Sequence, residues 1–222
     1  MATIFGKFGS GIAETILGTP DNDTISPLGG FDLVDGGAGL DTVVVLAGSN
    51  QFSVARKGNL VYVDTISSAS GGGDQLRLRD VERISFTDSK LALDLDPTQS
   101  AGQAVLLIGA VMGREAVLSN KELMGVGIGL FDQGLSMLAL SGLVMRLPIW
   151  TDLAGGNSSS HIANYLLTRA QGAAPSSEAL AAAVATLDHG AEGEFLAQLA
   201  QSGTNISRVD LVGIAQHGLG FV

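Results

Sequence analysis

The chain of 222 residues contains no cysteine. That excludes disulfides, thiolate metal sites and cysteine nucleophiles, and it gives no vote on redox compartment. Basic residues are also scarce: 12 Lys and Arg stand against 22 Asp and Glu, for a formal net charge of -10 and a pI near 4.5. Such a balance repels a phosphate backbone or an anionic lipid surface, so neither nucleic acid nor membrane is expected as a partner. Long apolar runs are missing as well. A spanning helix needs about 20 mostly apolar residues, and the apolar stretches here are interrupted by Arg114, Glu115, Glu122, Asp132 and Arg146. The N-terminal MATIFGKFGSGIAETIL has one lysine, scattered glycines and no unbroken apolar core, so it does not read as a cleavable signal peptide.

What remains is ample for folding. Apolar residues make up 45% of the chain and mean hydropathy is +0.34, enough for one large core or two ordinary ones. Composition changes near Asp96-Pro97: glycine turns, aspartates and short β-branched runs come before, alanine- and leucine-rich segments with helical spacing after. The expected fold class is therefore α+β in two domains, with residues 1–96 all-β and 97–222 all-α. Strands are expected around 42–46, 51–55, 60–65, 75–79, 82–86 and 90–95, with turns at Asn59, Gly71-Gly72-Gly73-Asp74 and Thr87-Asp88-Ser89. Helices are expected at 100–113, 120–132, 135–146, 159–170, 176–188, 192–201 and 206–215. Ser119 with Glu122 has the spacing of a capping box, and Gly134, Gly172, Gly190 and Gly203 fall where chains leave helices. Glu122, Phe131, Asp132, Gly134 and Leu140 recur 56 positions later as Glu178, Leu187, Asp188, Gly190 and Leu196, which suggests two related helical units.

The most informative pattern has a period of nine. Residues 9–53 divide into GSGIAETIL, GTPDNDTIS, PLGGFDLVD, GGAGLDTVV and VLAGSNQFS. Their sixth positions are Glu14, Asp23, Asp32, Asp41 and Asn50, and their eighth are Ile16, Ile25, Val34, Val43 and Phe52. Six turn residues followed by a three-residue strand make half a coil, so residues 18 apart stack on one side. Glycine allows positive φ in such turns and lets carbonyls aim inward. Carboxylate and carbonyl oxygens together form the hard-oxygen cage that suits calcium. The candidate metal ligands are Asp23 and Asp41 as one stacked pair, Asp32 and Glu14 on the opposite side, and the turn residues Gly18, Gly36 and Gly39. The competing reading is a set of turns in which Asp caps backbone amides with no metal at all.

GGAGLDTVV fits G-G-x-G-x-D-x-U-x throughout, and in this the chain resembles the repeats-in-toxin (RTX) calcium-binding proteins. GTPDNDTIS departs from the pattern at Asp21, and PLGGFDLVD at its first two positions. The resemblance implies a short parallel β-roll, with DVERISFTDSKLALDLD (residues 80–96) as a β cap that covers its edge. NYLLTRAQGAAPSSEALAAAVATLDHG and RVDLVGIAQHG are similar to helical modules at the ends of large type I secreted proteins. The family further implies calcium as cofactor, extracellular localisation by the type I route, and a C-terminal secretion signal within the helical domain.

Other chemistry finds little purchase. His161, His189 and His217 are spaced 28 apart, with no local pair for zinc. No G-x-S-x-G elbow exists, and SSSH at 158–161 reads as a helix start. GVGIG at 125–129 follows no strand and lacks the lysine and serine of a phosphate loop, so close helix packing explains it better. An enzyme is not expected. The expected function is that of a secreted, calcium-stabilised structural protein that self-assembles in a surface layer, filament or biofilm matrix. The alternative is a monomeric adhesin or ligand-binding module, and a secreted hydrolase ranks behind both.

Overall fold

The computed structural model describes residues 1–7, 13–66 and 75–222, so the Gly71-Gly72-Gly73-Asp74 turn lies outside the described residues. Among the described residues it is a mixed α/β chain with strands towards the N-terminus and ten α-helices after them. Two compact units emerge: residues 1–95 together with 213–222, and residues 96–212.

In the first unit the opening strands are β1 (Thr3–Phe5), β2 (Thr15–Leu17), β3 (Thr24–Ser26), β4 (Phe31–Asp35) and β5 (Thr42–Val44). They alternate between two sheets, β1, β3 and β5 in one and β2 and β4 in the other. Pairing is parallel, with Thr24 opposite Thr42 and Thr15 opposite Leu33, both 18 residues apart; the first pairing is longer, Thr3 opposite Thr24. In the three-residue strands β2, β3 and β5 the middle residue is buried, and in the five-residue β4 Val34 is. Ile16, Ile25, Val34 and Val43 all lie in one apolar cluster shared by both sheets. At about 25 cal/mol per Å² of apolar surface, that burial is what holds three-residue strands in place.

The chain then leaves this pattern. The hairpin β6 (Phe52–Lys57) and β7 (Leu60–Thr65) is antiparallel, and β8 (Gln75–Arg79) returns to lie between β7 and β4. Asn50 consequently does not stack on Asp32; it sits in a 3-10 turn at Ser49–Gln51, ahead of the hairpin. The position next to β4 goes to a strand more than forty residues later, and Asp35 of β4 forms an ion pair with Arg79 of β8 there. After β8 come β9 (Arg83–Ser85), parallel to β5, and β10 (Lys90–Ala92), antiparallel to β9.

The end of the chain completes this sheet. Strand β11 (Leu219–Phe221) pairs antiparallel with β10, giving the order β1-β3-β5-β9-β10-β11. The expected grouping of 97–222 therefore changes: residues 213–222 join the β unit, because Leu219 and Phe221 are buried there beside β10.

The helices are α1 (Ser100–Met112), α2 (Arg114–Ser119), α3 (Lys121–Asp132), α4 (Met137–Met145), α5 (Trp150–Ala154), α6 (Ser159–Gln171), α7 (Ser177–Asp188), α8 (Glu192–Ala200), α9 (Gly203–Val209) and α10 (Leu211–Ala215). The expected capping box is corrected: Asn120 caps α3 by accepting from the Leu123 amide, while the Ser119 hydroxyl donates to the Glu115 carbonyl. Gly203 begins a helix instead of leaving one, since Ser202 accepts from the Asn205 amide as its N-cap. Gly134, Gly172 and Gly190 do have positive φ at helix exits. The expected 206–215 helix is broken at Asp210, whose φ is 56°. Helix α1 is buried nearly all round, and two glycines permit its close neighbours. A Cβ on Gly127 of α3 would lie 2.9 Å from Ile108 Cδ1, and one on Gly109 only 2.2 Å from Val209 Cγ1. The glycines of GVGIG thus include a packing position.

Candidate functional site

Three turns stack at one side of the β unit: Gly18–Asp23 between β2 and β3, Gly36–Asp41 between β4 and β5, and Asp80–Glu82 between β8 and β9. They approach so closely that no side chain fits at Gly18 or Gly36. A Cβ on Gly18 would sit 2.0 Å from the Gly36 carbonyl oxygen, and one on Gly36 would sit 2.1 Å from the Asp80 carbonyl oxygen. Gly39 combines a φ of +127° with backbone of Asp21 2.8 Å from any Cβ, a conformation nearly closed to other residues.

The carboxylates form a staircase through this stack. Asp23 Oδ1 accepts from the Ala2 amide at 2.6 Å, Asp41 Oδ1 from the Asp23 amide at 2.7 Å, and Glu82 Oε2 from the Asp41 amide at 2.8 Å. Each acid thus holds the equivalent backbone position of the turn before it. Glu82 was not foreseen as a site residue, because its turn is short, carries no glycine, and lies 41 residues beyond Asp41 instead of 18.

The three acids are not equivalent. Burial raises the Asp23 carboxyl, but hydrogen bonds from the Thr19 and Ala2 amides and the Thr19 hydroxyl outweigh it and leave the group below its ordinary range. Burial also raises Asp41, the charge of Asp23 adds to it, and the Asp23 amide offsets only part, so Asp41 ends above the usual range. Its Oδ2 is buried without a hydrogen-bond partner, 2.6 Å from where a Gly36 Cβ would be. Glu82 is pushed up to about 7, first by burial and then by the neighbouring Asp41 and Asp94 charges.

On the opposite side Asp32 is buried, and its Oδ1 accepts from the Glu14 amide at 3.1 Å. Glu14 Oε1 in turn accepts from the Lys7 amide at 2.6 Å. The structure therefore brings Glu14 beside Asp32 and Asp23 beside Asp41, in two separate stacks. Among the described residues no group of three or more His, Asp or Glu side chains converges as a metal would require of side chains alone. Calcium, however, also takes backbone carbonyls. Around Asp41 Oδ2 and its glycine turn the nearby carbonyl oxygens include that of Asp80, while Thr19 and Asp21 present theirs to Gly37 and Gly39. An orphaned carboxylate oxygen beside glycines whose Cβ positions are blocked, with backbone carbonyls close by, fits a hard cation.

The histidines are occupied with helix and strand ends. His161 Nδ1 pairs with the Ser158 hydroxyl, His189 Nδ1 with the Ala185 carbonyl, and His217 Nδ1 with the Val54 carbonyl. In the helical unit a cavity of about 560 Å³ opens between α1, α3 and α4, lined by Leu107, Ile108, Val126, Phe131 and Leu143, with Asp152 its one charged residue.

No family model matches the sequence, and no curated protein matches it. Among solved structures, the extracellular lipase LipA from Serratia marcescens overlaps 38% of this chain and 14% of the lipase, at 19% identity and a TM-score of 0.21. An overlap that small assigns neither fold nor activity. Among the described residues no helix is long and apolar enough to cross a membrane.

Proposed function

We propose that the β unit is a calcium-stabilised RTX-type roll, and that the chain is an extracellular structural protein that self-associates and has no enzymatic role. The observation that carries the calcium reading is Asp41 Oδ2: buried, without a hydrogen-bond partner, beside Gly36, whose position admits no side chain. An ionised oxygen in that position is costly until a cation reaches it. Asp41, the carbonyl of Asp80 and the turn from Gly36 to Gly39 would hold the ion, with Glu82 and Asp23 beside it. Bound there, calcium supplies charge neutralisation and cross-links successive turns.

The same feature supports folding outside the cell. A chain held in low calcium keeps an uncompensated buried carboxylate, whereas millimolar external calcium stabilises only the folded form. Export by the type I route follows from the RTX resemblance. Thermal melts followed by circular dichroism test the reading: the β-unit transition should rise by 10 °C or more, on the order of 2–3 kcal/mol for about 100 residues, between excess EGTA and millimolar calcium. Superimposable melts would sink it.

One observation favours a second reading. The apolar cavity between α1, α3 and α4 has the size of a small-molecule pocket, which supports a monomeric ligand-binding module.

A further inference from the structure

The two sheets of the β unit end very differently. At the far end the outer edge of β6 carries Arg56 and Lys57, the Arg56 amide donates to the Gln216 carbonyl, and the Val54 carbonyl is paired with His217. At the near end, β1 and β2 have, among the described residues, a partner on one side only. Gly6 and Gly18 donate inward to Ser26 and Asp35, and the carbonyls of Ala2 and Glu14 accept from Thr24 and Leu33. By the two-residue alternation of a strand, Thr3 and Phe5 of β1, and Thr15 and Leu17 of β2, turn their amides and carbonyls outward.

Free edges are usually guarded by charge, proline or a bulge. Thr-Ile-Phe and Thr-Ile-Leu contain none of these, and Phe5 and Leu17 are 67% and 63% exposed. We propose that this edge pairs with the same edge of a second copy, forming a closed two-fold dimer. The proposal rests on the self-association part of the function above and is independent of the calcium part.

Self-pairing is favoured by the register it permits. A two-fold axis makes each strand run antiparallel to its own copy. Centred on Ile4, it sets Thr3 opposite Phe5 of the second copy; centred on Ile16, it sets Thr15 opposite Leu17. In each case the opposed residues are those with outward backbone groups, so each pair exchanges both of its N–H···O bonds. Ile16 belongs to the shared apolar core and Ile4 packs against it, so the same pairing carries that core across the junction. The strands are uncharged, and a chain of net charge -10 can join there without setting like charges opposite each other. A filament would need the far end to be free as well, and its β6 edge is charged and partly occupied.

Size-exclusion chromatography with light scattering, in millimolar calcium and across a concentration series, tests this with the full chain. The expected species has twice the 22.6 kDa chain mass. The Phe5→Lys/Leu17→Lys variant should be monomeric at concentrations where the parent is dimeric, with its dissociation constant weakened at least tenfold and its melting temperature kept. Thr3→Lys/Thr15→Lys, on exposed positions of the same strands, gives the same answer should the first variant fold poorly. Ser53→Lys, on β6, should remain dimeric. A monomer throughout the series that still gains stability from calcium overturns the interface and leaves the calcium reading standing. Oligomers that survive both edge variants, or polymers dissolved by Ser53→Lys, overturn this edge while keeping self-association.

Discussion

Asp41 and Glu82 have carboxyl groups raised by burial, and their linkage to stability has a definite sign. The folded state of Glu82 binds its proton up to about pH 7, whereas the unfolded group releases it near 4.5. The native form therefore holds more protons between those values, and stability falls as pH rises through that window before levelling off. In EGTA, melting temperature should decline from pH 4.5 to 7. A bound cation favours the ionised forms, so calcium should flatten or reverse this slope; an identical slope with and without calcium would place the ion elsewhere. Asp41→Asn sharpens the test. It removes the buried charge while keeping an oxygen for the Asp23 amide, so in EGTA the variant should melt no lower than the parent, yet it should lose the calcium-dependent gain. Gly39→Ala should cost on the order of 1–3 kcal/mol by forcing a side chain to positive φ against Asp21, measurable by urea denaturation.

At the scale of elements, spacing made some features legible and long-range pairing hid others. The period of nine places Ile25 opposite Val43 and Ile16 opposite Val34, because a repeat whose turn and strand have fixed length must bring equivalent residues together. The 56-residue echo also has a physical counterpart: α3–Gly134–α4 and α7–Gly190–α8 share their glycine exits and bury Phe131 and Leu140 in one, Leu187 and Leu196 in the other. The fifth nonapeptide misled because Gly48 and Phe52 keep the phase although the chain has already turned into a hairpin. Glu82 was invisible for the converse reason, since its place is set by β8 and β9 pairing with strands some 40 residues earlier. Glycines within helices offer a matched prediction. Nothing lies within 4 Å of a Cβ on Gly129, whereas Val209 blocks one on Gly109. Gly129→Ala should add about 0.5–1 kcal/mol, and Gly109→Ala should cost about 1–3 kcal/mol through overpacking; urea midpoints measure both.

For the whole molecule, the notable feature is that the β unit is discontinuous in sequence, its residues 1–95 joined by 213–222 around a helical unit of 96–212. Removing residues 216–222 should lower the melting of the β unit, because it takes away β11, the Gln216 carbonyl that accepts from Arg56 and the His217 contact with Val54. A truncated chain with an unchanged β-unit transition would show that β11 contributes nothing. The same strand imposes an order in time. Its slot beside β10 cannot be filled until residue 221 has left the ribosome, by which point the whole helical segment has already been synthesised. The β unit is thus opened before the helical segment is made and closed only after it, so its completion must wait for the helices to be synthesised.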